Sequence, residues 1–90
     1  MSFRITHIRM AEGYTALPEK ITHVRLQDGK VETVEEVVKW IDHPFEYYYF
    51  TESDGSKAIV ETVHPTGRDP YIRTAKNDSI LDNLLSLPKF

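Results

Sequence analysis

Thr33-Val34-Glu35-Glu36-Val37-Val38-Lys39-Trp40-Ile41 decides the fold, because here the apolar spacing changes from two residues to the helical repeat. A threonine followed three residues later by a glutamate spells a capping box, in which the hydroxyl accepts from an early backbone N–H and the carboxylate reaches back to the cap. Val34, Val37, Val38 and Ile41 then line one face of a short amphipathic helix, with Trp40 on its flank. Pro44 pushes His43 out of the helical region and marks the stop. So short a helix is marginal alone and needs a sheet to pack on. Glu32, Glu35 and Glu36 read as a solvated helix start that complements the dipole, not as paired acids for glycosidic chemistry.

On both sides of the helix the chain alternates. Ile5-Thr6-His7-Ile8-Arg9-Met10 recurs as Ile21-Thr22-His23-Val24-Arg25-Leu26, and two copies so close together read as two similar strands, not a repeat array. Strict alternation puts Thr6, Ile8 and Met10 on one face with Thr22, Val24 and Leu26. His7, Arg9, His23 and Arg25 take the other. The loop 11–20 contains Gly13 and Pro18, and Gln27-Asp28-Gly29-Lys30 is a turn signal. After the helix, residues 45–52 are aromatic on both faces, Asp54-Gly55 supplies a hairpin turn, and residues 57–64 are β-branched and alternating. A rigid connection, His64-Pro65-Thr66-Gly67-Arg68-Asp69-Pro70, leads to Tyr71-Ile72-Arg73-Thr74-Ala75, and Asn77-Asp78 turns the chain into an apolar tail. A tail of that character should be docked. The expected fold is a single α+β domain over residues 1–90, a strongly twisted antiparallel sheet of about five strands with one helix packed on it, in the order β-β-α-β-β-β, closed by the tail.

From the helix onward the chain resembles a family of small bacterial proteins catalogued as a domain of unknown function. The likeness rests on the valine stripe closing with Trp40-Ile41, on the strand Ile59-Val60-Glu61-Thr62-Val63, on Tyr71-Ile72-Arg73-Thr74, and on the ending Asn83-Leu84-Leu85-Ser86-Leu87-Pro88. Relatives often carry an Asn-Gly turn where this chain has His43-Pro44, an Asp-Gly turn where it has Asn77-Asp78, and a Glu-Cys end where it has Lys89-Phe90. Any redox or metal role of that cysteine is therefore closed to this chain. The resemblance implies a fold and a tail motif but no activity.

Composition narrows the classes further. Ninety residues bury a small core, so each apolar segment is needed. Hydrophobic residues at 40% and charged residues at 28% exclude the disordered class. The absence of cysteine excludes disulfides, thiolate metal sites and cysteine nucleophiles, and favours a cytoplasmic setting. No run approaches the ~20 apolar residues of a membrane span, and the start lacks the core of a signal peptide, so a soluble chain without membrane contact is expected. The net charge of −3 is unevenly spread: residues 1–30 carry five basic and three acidic side chains, residues 31–60 two and seven. A local basic face is thus compatible with an acidic whole.

Three constellations deserve weighing for chemistry. His7, Arg9, His23 and Arg25 form a candidate basic strand face that, with Arg4, suits phosphate geometry. Two histidines fall short of a zinc ligand set, so no metal is expected. Tyr47-Tyr48-Tyr49-Phe50 splits by alternation, and Tyr47, Tyr49, Tyr71 and Arg73 are the candidate partner surface. Loop 64–70 lacks the ending of a P-loop and shows no nucleophile elbow. The expectation is a non-catalytic interaction module with no cofactor. A protein partner, including a second copy in a homo-oligomer, stands ahead of a nucleic acid bound by the Arg/His face and exposed tyrosines.

Overall fold

The computed structural model describes residues 2–13, 17–43, 45–51, 55–75 and 83–90. Pro44, Asp54 and the Asn77-Asp78 turn lie outside them.

Six strands, β1 (Ser2–Met10), β2 (Ile21–Leu26), β3 (Val31–Thr33), β4 (Glu46–Phe50), β5 (Lys57–Val63) and β6 (Tyr71–Thr74), form a sheet in the order β3-β2-β1-β4-β5-β6. One α-helix, α1 (Val34–Ile41), and 3₁₀ turns at Pro18–Lys20 and Asn83–Ser86 complete the elements. This is the expected α+β domain with two differences. First, the three-residue β3 pairs with β2, Val24 opposite Glu32, and is too short to leave a periodic signal between its turn and the helix cap. Gly29 at φ 91° makes that turn possible, a backbone state that other residues reach only with strain. Second, β4 runs parallel to β1, Phe3 opposite Tyr47, whereas the other strand pairs are antiparallel. A parallel pair needs a crossover connection, and the segment through β2, β3 and α1 supplies it.

The helix forms as its residues dictate. Thr33 Oγ1 accepts from the Glu36 N–H at 3.2 Å, Glu36 Oε1 accepts from the Thr33 N–H at 3.0 Å, and Val34, Val37 and Val38 are buried against the sheet. The Thr33 backbone donor, seconded by its hydroxyl, holds the Glu36 carboxyl below its ordinary value. The core joins these valines to Ile5 and Ile8 of β1, Val24 of β2, Tyr47 and Tyr49 of β4, Val60 of β5, Ile72 of β6, and Leu84, Leu85 and Leu87 of the tail.

The tail is docked by backbone as well as side chains. Ile8 N–H donates to Pro88 O at 3.0 Å and Phe90 N–H to Ile8 O at 3.1 Å, so the last residues run beside β1 where β4 does not reach. Lys89 Nζ donates to the carbonyls of Leu85 and Leu87, closing the 3₁₀ turn.

Candidate functional site

The two echoed strands pair antiparallel, and the repeat becomes a local two-fold arrangement. His7 faces Arg25, Ile8 faces Val24, and Arg9 faces His23. Register shifts fall between Ile5 and His7 and between Arg9 and Met10, which leaves Thr6 on one strand and Thr22 on the other as the extra residue of a β-bulge. Strict alternation would send Ile5 and Ile8 to opposite faces. The extra residue lets both enter the core, so Ile5 and Ile21, not Thr6 and Thr22, are the buried members.

Each bulge threonine anchors a histidine. Thr6 Oγ1 donates to Arg25 O and Thr22 Oγ1 to Arg9 O, both at 3.2 Å. A hydroxyl has one proton, and the carbonyl takes it. The 2.9 Å contacts of His7 Nδ1 with Thr6 Oγ1 and of His23 Nδ1 with Thr22 Oγ1 therefore require the proton on Nδ1. In the neutral ring this leaves Nε2 as the acceptor on both histidines.

The four predicted basic residues share the outer face of the sheet, turned away from Ile8 and Val24, as alternation implies on this stretch. What the sequence did not disclose is their centre, Phe90. Its ring lies 4.6 Å from the Arg9 guanidinium and 4.5 Å from that of Arg25, the His7 ring meets it edge-on at 6.4 Å, and Arg9 Nε donates to Phe90 O at 3.0 Å. Each Arg over a ring is a cation–π contact. No spacing rule relates residue 90 to residue 9.

A second station of the same chemistry occupies the other half of that face. Arg4 lies opposite Tyr48 and stacks its guanidinium 4.8 Å over Phe50, Lys57 Nζ sits 4.6 Å over Tyr48, and the Tyr48 and Phe50 rings meet edge-on at 5.7 Å. Phe50 and Ile59 are exposed beside them. Arg4 Nε is buried without an acceptor among the described residues, next to a cleft of about 270 Å³ lined by Arg4, Gln27, Asp28 and Tyr48. The acids Glu46 and Glu61 are each ion-paired, with Lys57 at 2.9 Å and Arg73 at 3.0 Å. Arg4, Arg9 and Arg25 make no ion pair with an Asp or Glu among the described residues.

The expected partner surface of Tyr47, Tyr49, Tyr71 and Arg73 does not assemble. Tyr47 is 1% exposed and Tyr49 is 0% exposed, because β4 must turn one face to the helix and the core. Their phenols find partners there: Tyr47 O–H donates to Glu32 Oε1 at 2.6 Å, and the Tyr49 and Thr74 hydroxyls lie 2.7 Å apart. Burial, then the Glu32 contact, raises the Tyr47 phenol far above its ordinary value. Glu32 is likewise no part of a solvated helix start; it lies on β3 opposite Val24 and is 3% exposed. Tyr71 is half-buried and Arg73 exposed on the edge strand β6, with β5 and β4 between them and the Arg9 station.

Loop 64–70 behaves as a connection. Pro65, Arg68 and Asp69 line a cleft of about 420 Å³ with Glu19, Lys20 and Tyr71, and His64 Nε2 sits 3.1 Å from Asp42 Oδ2 at the surface. Among the described residues no three His, Asp or Glu side chains gather as a metal site, and no helix is long and apolar enough to cross a membrane.

Residues 4–88 match the profile of DUF3892, a family described as proteins of unknown function, and the chain belongs to that family. The match spans the echoed strands, the helix and the chain up to residue 88. The chain matches no curated protein and no solved structure.

Proposed function

We propose that this member of the DUF3892 family is a non-catalytic, cytoplasmic binding module that takes single-stranded nucleic acid across the outer face of its sheet. One observation carries the reading: Arg9 and Arg25 flank the Phe90 ring while Arg4 and Lys57 lie over Phe50 and Tyr48, so rings and cations alternate along one open face. Unpaired bases stack on such rings at about 1–3 kcal/mol each, and the guanidiniums suit the phosphates between them. The buried Arg4 Nε–H is a donor that a phosphate oxygen would satisfy, with Asp28 on the same cleft limiting how much negative charge enters.

The protein-partner reading loses its main support, since Tyr47 and Tyr49 are interior. What is left for it is the edge strand β6, where Arg73 is exposed.

Fluorescence anisotropy of labelled single-stranded oligonucleotides tests the proposal. Binding should weaken with salt by about 0.7 in log K per log salt for each phosphate contacted, about 2 for three arginines. Arg9→Ala with Arg25→Ala should remove most of the affinity and flatten that slope. No anisotropy change at low salt, or equal affinity for duplex DNA, ends the proposal.

A further inference from the structure

The core-side end of β1 holds a recess of about 240 Å³ that is chemically unlike the outer face. Its walls are rings in sequence: Trp40 packs on Phe45 at 5.4 Å, Phe45 on Phe3 at 6.1 Å, and Phe3 on Tyr47 at 5.2 Å. The carboxylate of Glu32 also lines it. A carboxylate among rings favours a cation or donor at each oxygen. Oε1 has the Tyr47 hydroxyl. Oε2 is not sealed off as a buried orphan; among the described residues its cation is the Lys30 ammonium at 3.4 Å, whose side chain is 61% exposed.

Lys30 shows what the recess attracts, and its exposure shows how weakly it is held. An ammonium that entered between the rings would give Oε2 a true hydrogen bond and would add ring-face attraction on a desolvated cation. Asp28 at the rim adds a second negative charge. The volume is below that of drug-sized pockets and suits a charged head on an alkyl stem. We infer that this recess binds an alkyl primary ammonium, as on a lysine side chain or a short diamine, with Glu32 as its counter-ion and Lys30 as a displaceable occupant. The inference does not rest on the proposed nucleic-acid site, although the recess shares Phe3, Leu26 and Asp28 with the Arg4 cleft.

Trp40 is the chain's single tryptophan and lines the recess, so its fluorescence reads the site directly. Titration with cadaverine should change that emission saturably. Glu32→Gln, which keeps an acceptor for Tyr47, should weaken binding about tenfold or more. Lys30→Ala should tighten it, a sign that a purely structural ion pair would not give. An Nα-acetyl-lysine amide run beside cadaverine tells a protein lysine from a free diamine by which binds more tightly. The inference is overturned if neither wild type nor Lys30→Ala gives a saturable change, if folded Glu32→Gln binds as wild type, or if tetramethylammonium, which has no N–H, binds as tightly as cadaverine. Should Glu32→Gln fail to fold, the Lys30→Ala and tetramethylammonium arms decide alone.

Discussion

Tyr47 and Tyr48 are adjacent, chemically identical and held by the same strand, yet they belong to different parts of the protein. Tyr47 points under the helix and donates a hydrogen bond from its hydroxyl to a buried carboxylate. Tyr48 points the other way, beneath the Lys57 ammonium and against Phe50. The inner face of the sheet thus spends its aromatics on stability, and the outer face presents them with cations. Composition cannot separate the two; the parity of the pleat does.

The largest way to break the inner side is to remove its clasp. A chain stopped before Asn83 loses Leu84, Leu85 and Leu87, all buried, and should show no cooperative thermal transition. Leu84→Ala alone should cost about 2–5 kcal/mol in denaturant melts. The tyrosine pair comes next: Tyr47→Ala should cost about 3–5 kcal/mol, whereas Tyr48→Ala should cost about 0.5–1.5 kcal/mol, for its ring pair with Phe50, and lose oligonucleotide affinity as well. Equal destabilisation by the two would remove the distinction between the faces.

Tyr47→Phe is milder, at about 1–3 kcal/mol, because Glu32 keeps its burial and loses a donor. Its pH profile sharpens the point. The Tyr47 phenol is raised in the folded chain, so its contribution is fully present below the ordinary value of 10.0 and is lost as pH climbs beyond it. Wild type should weaken over that alkaline range more steeply than Tyr47→Phe. At the helix cap the effect is smaller than at Tyr47: Thr33→Ala should cost about 1 kcal/mol. Glu36 is depressed in the folded chain, so the capping contribution holds above 4.5 and fades as pH falls through the lower folded value. Acid melts of wild type beside Glu36→Gln check that sign.

Local rules made much of this fold readable. The capping box and valine stripe of α1 form as read, because each depends on residues within one or two turns. The Arg/His face was readable for a similar reason, since His7 and Arg9 alternate on one strand and His23 and Arg25 on the next. Three features depended on distant choices. Thr6 and Thr22 bulge only once β1 and β2 pair, which is why Ile5 and Ile21 displaced them from the core. β4 is parallel to β1 because the chain crosses over before returning, and no short window encodes that. Phe90 reaches Arg9 across 81 positions, a pairing no local pattern encodes.

Side-chain resonances test the division of faces most directly. With a single-stranded oligonucleotide at low salt, the Nε–H signals of Arg4, Arg9 and Arg25 and the ring signals of Tyr48, Phe50 and Phe90 should shift together, while the rings of Tyr47 and Tyr49 stay in place. Unmoved arginine and outer-ring signals at saturating oligonucleotide, or shifts confined to Trp40, Phe45 and Tyr47, would contradict the account.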